Sequence, residues 1–143
     1  MRFWDSSALL PLAAIQSGTD DVKALLDDDS DMVLWWATRL ELALGLCRLL
    51  REGLIDEVTL SGLLKAVEQI ADDADEVEPT SQIRLTSIRI LRVHNLRAAD
   101  SLQLAAALAW TDHDPSGAGF VCLDKRLREA AEKEGFEVLP KRV

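Results

Sequence analysis

Met1-Arg2-Phe3-Trp4-Asp5-Ser6-Ser7-Ala8-Leu9-Leu10 opens the chain and reads as a strand turning into a helix. Arg2–Trp4 is a short, apolar strand that Asp5 ends. Ser6 or Ser7 then caps a helix running to about Ile15, with Pro11 near its first turn, where a missing N–H costs least. The same order returns near the other end. Phe120-Val-Cys-Leu-Asp124 reads as a strand over 120–123 stopped by an acid. A helix over 125–134 follows, closed by Gly135, and then a last strand over 136–139. Between these ends, Thr19 can cap a helix over 20–26 with acids in its first turn. A strand is expected over 32–36, and Thr38 caps a long helix to Glu52 that Gly53 terminates. Another helix covers 59–71, and Val77 marks a short strand before Pro79. Thr80 caps a helix to His94 whose one face carries Ile83, Ser87, Ile90 and Leu91. Residues 98–110 form the most apolar helix. Short apolar strands alternating with helices predict an α/β chain with a mostly parallel sheet of about four to five strands, covered on both faces.

A length of 143 residues predicts one domain over 1–143. The apolar fraction is 48% and the charged fraction 29%, which suits a soluble globular protein. No run of about 18 apolar residues exists, so no membrane span is expected. Net charge is −9, which taken alone argues against a generic nucleic-acid binder. The charge is uneven, however: residues 1–79 sum to −11 and residues 80–143 to +2. A polyanion would lean on the second half, and a basic segment of a partner on the first. Cys47 and Cys122 stand far apart in apolar contexts, as reduced thiols of a cytoplasmic protein would.

Four acids interrupt apolar elements: Asp5, Glu41 in Leu40-Glu-Leu-Ala-Leu, Asp100 in Ala99-Asp-Ser-Leu-Gln-Leu, and Asp124. Each is expected to be largely buried, which is costly for a carboxylate without a cation. Asp5 and Asp124 end strands, where open parallel sheets gather ligands. Asp100 and Glu41 lie in first turns that can face the same rim. Hard oxygen donors of this kind suit Mg²⁺ or Mn²⁺ and point to phosphodiester chemistry. Plainer roles stand beside this one. Asp5 and Asp124 are also good N-caps, Asp100 suits a helix dipole, and Glu41 could pair with Arg39 or Arg97. The clustered acids of 27–31 and 72–78 read as solvated, 27–31 as a turn and 72–76 as a charged connector.

Together these residues resemble the PIN-domain family and, within it, VapC-type toxins of bacterial toxin–antitoxin pairs. The resemblance rests on four segments in order: Phe3-Trp-Asp-Ser-Ser-Ala-Leu-Leu, Thr38-Arg-Leu-Glu-Leu-Ala-Leu-Gly-Leu-Cys-Arg48, Leu96-Arg-Ala-Ala-Asp-Ser-Leu-Gln-Leu-Ala-Ala-Ala-Leu108, and Phe120-Val-Cys-Leu-Asp-Lys-Arg-Leu-Arg with Gly135-Phe-Glu-Val-Leu. It implies a three-layer α/β/α fold and Mg²⁺- or Mn²⁺-dependent endoribonuclease activity. Asp5, Glu41, Asp100 and Asp124 would form the acidic metal-binding and catalytic cluster, supported by Ser6 or Ser7. The substrate would be RNA of the tRNA or rRNA class, and the partners a cognate antitoxin and a second copy in a homodimer. Arg84, Arg89, Arg92 and Arg97 could contact RNA phosphates, or simply be solvated helix faces. Cys122 departs from the family, which often has Thr or Ser two residues before the last acid.

Two apolar features leave a choice open. Trp35-Trp36 could both be core, or one could line a groove for a partner helix. Leu9, Leu12, Leu25, Leu26, Leu46, Leu49 and Leu50 exceed what one core stripe needs, so an antitoxin groove or a dimer face could use the surplus. Other catalytic classes lack their residues. There is no P-loop and no Ser-His-Asp pattern, and His94 and His113 read as incidental. A haloacid-dehalogenase-like phosphatase would need an Asp where Ser7 stands. The alternatives are a catalytically inactive PIN-like module that binds a protein partner and, more weakly, a DNA or flap nuclease of the same fold class.

Overall fold

The computed structural model describes residues 1–14 and 18–143. Ile15, the expected end of the first helix, lies outside them. The elements in order are β1 (Arg2–Trp4), α1 (Ser6–Ala13), α2 (Thr19–Asp28), β2 (Met32–Trp35), α3 (Thr38–Arg51), α4 (Glu57–Asp73), β3 (Asp75–Val77), α5 (Ser81–Val93), α6 (Ala98–Trp110), β4 (Gly119–Val121), α7 (Lys125–Glu134) and β5 (Glu137–Leu139). The five strands lie in the order β3-β2-β1-β4-β5, and every pairing is parallel. From β1 the chain winds outward to β3 with α1 to α4 on one face. It then crosses the other face through α5 and α6, enters β4, and ends at β5 past α7. The winding therefore reverses between β1 and β4, which makes their carboxyl ends the natural crevice of this sheet.

Side chains alternate across the sheet, as the two-residue period of a strand demands. Phe3, Val33, Trp35, Phe120 and Cys122 pack under α5, α6 and α7. Trp4, Met32, Leu34 and Val121 pack under α1 to α4. Phe3 stacks on Phe120 with ring centroids 5.4 Å apart. Helix α6 is buried nearly all round, and Ala105, Ala106 and Ala107 are wholly covered. Its Ser101 hydroxyl meets that of Ser87 at 2.5 Å, which ties α6 to α5.

Several local expectations shift. Thr38 does not cap α3: it lies buried inside the helix, and the cap position is Ala37, with no side-chain cap bond. Thr19 is likewise the first helical residue of α2, behind Gly18 in a left-handed conformation. Pro11 sits in the second turn of α1, so the Ser7 carbonyl lacks its helical partner. Helix α4 extends to Asp73 and β3 begins at Asp75, so the acidic stretch is structured rather than a connector. Arg39 explains this, because its guanidinium bridges Glu68, Asp72 and Glu76. Leu91 turns outward, leaving Ile83, Thr86, Ser87 and Ile90 as the buried residues of α5. The leucine surplus is absorbed by a layer of four helices: Leu9 and Leu46 are core, and Leu12, Leu25, Leu26, Leu49 and Leu50 pack against it. The tryptophans divide. Trp35 is core, while Trp36 is 51% exposed.

Phe120→Ala should lower stability by about 3–5 kcal/mol, because a buried ring that packs on both Phe3 and Phe136 would be replaced by a cavity. Leu40→Ala, at an exposed site, should change it by no more than about 0.5 kcal/mol. Urea unfolding midpoints check this, and similar losses for the two variants would contradict the assigned core.

Candidate active site

Asp5 stands where the winding reverses. Its N–H donates to the Val121 carbonyl at 2.9 Å, locking the end of β1 against β4. The side chain is 2% exposed. Its Oδ2 caps α1 by accepting the Ser7 N–H at 3.1 Å and the Ser7 hydroxyl at 2.5 Å, and it also receives the Cys122 thiol at 3.5 Å. The Ser7 oxygen in turn accepts the N–H groups of Leu123 at 2.9 Å and Asp124 at 3.3 Å. One hydroxyl thus spends its donor and both lone pairs joining the β1–α1 turn to the β4–α7 turn. Ser7 supports the rim from behind and has no bond to spare for a ligand.

The strand expected over 120–123 stops at Val121, and Asp124 ends the turn after it and caps α7, its Oδ1 accepting the Leu127 N–H at 2.9 Å. Arg128, one turn on, donates to the carbonyls of Cys122 at 2.7 Å and Pro140 at 2.6 Å, which holds this turn against the end of the chain. Glu41 lies in the first turn of α3. Its Oε2 accepts a short hydrogen bond from the Gln103 amide, which also donates to the Thr38 hydroxyl at 3.0 Å. Ser6 lies near enough to Glu41 to favour its ionised form. The two serines therefore divide their work, Ser7 on Asp5 and Ser6 on Glu41. Asp100 lies in the first turn of α6, three residues after Arg97 at the cap.

The electrostatics join the four acids. Burial pushes the Asp5 carboxyl up, the bonds from Ser7 and Cys122 oppose it, and the charge of Asp124 adds to the rise. Burial pushes Glu41 up to about 7, opposed by Gln103 and Ser6 and reinforced by the charges of Asp5 and Asp100. Asp100 rises to about 6 through burial and the charges of Asp5 and Asp124, with Arg97 opposing. Carboxylates from β1, α3, α6 and the β4–α7 turn therefore sense one another at one rim. Burial and the nearby Asp5 also push the Cys122 thiol up, so it stays a protonated donor.

The expectation that every acid is largely buried holds for Asp5 alone. Glu41 and Asp100 are half-buried and Asp124 is exposed. The helix starts stand at the open edge of the sheet, and solvent reaches them there. Both cap roles are also real, so Asp5 and Asp124 serve as caps and as members of the cluster. The pairing of Glu41 with Arg39 is not seen, because Arg39 is engaged by Glu68, Asp72 and Glu76. Among the described residues, no three His, Cys, Asp or Glu side chains stand close enough, as placed, to share a metal ion. The donor chemistry still suits a hard divalent cation. Asp5, Glu41 and Asp100, with Asp124 at the margin, offer carboxylate oxygens whose mutual repulsion a cation would relieve. Of the arginines, Arg97 is the one whose charge acts within the cluster. Arg89 bridges to Glu134 at 2.9 Å, with His94 on the same carboxylate at 2.7 Å, so His94 has a structural role. Arg84 and Arg92 are exposed on α5. The sequence reading missed Gln103, Ser101 and Arg128. For the first two a signal was present, since each is a polar residue inside the most apolar helix.

Glu41 and Asp100 bind protons more tightly in the folded chain than in the unfolded one. Their contribution to stability is therefore fully present below the ordinary carboxylate range and is lost as pH rises towards about 6 for Asp100 and about 7 for Glu41. In metal-free buffer, Glu41→Gln should raise the melting temperature at pH 8 and have a smaller effect at pH 5. Differential scanning calorimetry at both values checks this, and a lower melting temperature at pH 8 would speak against the clustered charges.

By sequence, no family profile and no curated protein matches this chain. Solved structures do match. FitAcB from Neisseria gonorrhoeae superposes with a TM-score of 0.66 at 19% identity, covering 96% of each chain. A toxin–antitoxin complex from Klebsiella pneumoniae gives a TM-score of 0.65 at 12% identity, over 88% of this chain and 89% of that one. A protein from Pyrobaculum aerophilum gives 0.61 at 16% identity, over 96% of this chain and 88% of that one. At such identities the likeness is one of fold: five parallel strands between two helical layers, the PIN-like α/β/α architecture that the sequence motifs implied.

Proposed function

We propose that this protein is a Mg²⁺- or Mn²⁺-dependent endoribonuclease, the toxin of a bacterial type II toxin–antitoxin pair. The observation that carries the reading is the set of four mutually repelling carboxylates at the carboxyl ends of β1 and β4. A solved neighbour that is itself a toxin–antitoxin complex supports the biological role. In this reading Asp5, Glu41 and Asp100, with Asp124, bind the cation. Ser7 keeps Asp5 and the Asp124 turn in register, and Ser6 and Gln103 orient Glu41. The bound cation would supply an activated water and charge for the leaving oxygen. Arg97, beside Asp100, is the first choice for an RNA phosphate, with Arg84 and Arg92 further along α5. Arg89 would have to leave Glu134 to join them. The substrate is RNA of the tRNA or rRNA class, the partner a cognate antitoxin, the assembly a homodimer of one-domain chains, and the setting the cytoplasm. Among the described residues no helix is long and apolar enough to cross a membrane.

A second reading is a catalytically inactive PIN-like module that binds a protein partner. Trp36, Leu40 and Leu44 favour it, because all three are exposed where α3 begins.

Chelator-stripped protein should cut a structured RNA pool when Mn²⁺ or Mg²⁺ is restored, and Asp5→Asn and Asp100→Asn should abolish the cutting while folding normally. A mutant that cuts like wild type would refute the site. Well-folded wild type that leaves the RNA intact would favour the binding module.

A further inference from the structure

Gln103 is the least expected residue beside the carboxylates. It is 0% exposed, on a helix whose next four positions are Leu104 and three alanines. Its amide nitrogen serves both Glu41 and Thr38. Its carbonyl Oε1 is buried without a hydrogen-bond partner among the described residues. An unpaired buried carbonyl is costly, and a methionine would fill the same space without that cost. Stability alone therefore does not explain a glutamine here.

Glu41 supplies an explanation. Its side chain is long, half-exposed, and repelled by Asp5 and Asp100, so left alone it would swing towards solvent. An ionised carboxylate only accepts hydrogen bonds, so the amide nitrogen must face it. Thr38, one turn before Glu41's carboxyl on the same helix, takes the other amide hydrogen and fixes the plane of the amide. Asp100 and Gln103 lie three residues apart on α6, on neighbouring positions of one face. One helix thus presents its own acid and holds the acid of another.

We propose that Gln103 is a positioning residue that, with Thr38 orienting its amide, holds the Glu41 carboxylate within reach of Asp5 and Asp100. The inference rests on the nuclease reading for its purpose, but the bond can be tested separately.

The test compares wild type with Gln103→Met and Thr38→Val in three measurements: Mn²⁺ affinity by electron paramagnetic resonance titration, metal-free melting temperature, and RNA cleavage over a range of Mn²⁺. Gln103→Met should weaken Mn²⁺ binding by about 10–100-fold, as loss of a ligand-orienting partner does. It should melt no lower than wild type, and excess Mn²⁺ should restore part of its cleavage. A purely packing role would lower the melting temperature and would not respond to added metal. Unchanged Mn²⁺ affinity in Gln103→Met would overturn the proposal. Should that variant fail to fold, Thr38→Val decides, with weaker Mn²⁺ binding supporting the proposal and unchanged binding overturning it. Wild type that neither binds Mn²⁺ nor cuts RNA would end the nuclease reading. The positioning bond is then judged by a thermal double-mutant cycle of Gln103→Met with Glu41→Met, in which non-additive shifts support the bond and additive shifts overturn it.

Discussion

A parallel sheet that reverses its winding between two adjacent strands leaves a crevice at their carboxyl ends, and here the buried carboxylate of Asp5 fills it. That choice constrains everything around it. A carboxylate placed so deeply needs donors, and Ser7 and Cys122 provide them. Ser7 can reach Asp5 because α1 begins at once, and the same hydroxyl binds the turn that carries Asp124. The residue that ends the first strand therefore also fixes the fourth strand and the start of α7. These bonds soften the cost of burying Asp5 without cancelling it, since burial still dominates its proton affinity. Glu41 and Asp100 add charge of the same sign instead of compensating it. A chain selected for stability alone would be expected to place a cation or an apolar group there.

How much of this was legible follows from how local each signal is. The bounds of α6 and α7, the cap at Thr80, and Gly53 closing α3 depend on residues within a turn of each other, and they were readable. The cap assigned to Thr19 failed where its hydroxyl donates to the Pro11 carbonyl instead, and the one assigned to Thr38 failed because a hydroxyl can serve either a cap or a distant partner. Gln103, 65 positions from Thr38, took that hydroxyl. Distance in sequence also hid Arg39, whose bridges to Glu68, Asp72 and Glu76 turned an acidic stretch that looked like a solvated connector into the end of a helix and an edge strand. The carboxylates themselves could be picked out because each breaks an apolar run. Their burial could not, because whether a helix start faces the core or the rim depends on how the layers are stacked.

The surface carries the same logic outward. The leucines that looked surplus are used up where α1 to α4 pack together, while Trp36 in the turn before α3, and Leu40 and Leu44 on that helix, stay uncovered. The acidic first half and the slightly basic second half meet at the rim, where Asp5 and Glu41 of the first stand near Asp100 and Arg97 of the second.

The central claim is that these carboxylates exist to hold a divalent cation. Crystals grown with Mn²⁺ and measured at the manganese absorption edge would test it most directly. The account predicts an anomalous peak in the crevice between β1 and β4, ligated by Asp5 with Glu41 or Asp100. A crystal at saturating Mn²⁺ with no peak there, and the acids held only by protein hydrogen bonds, would contradict it.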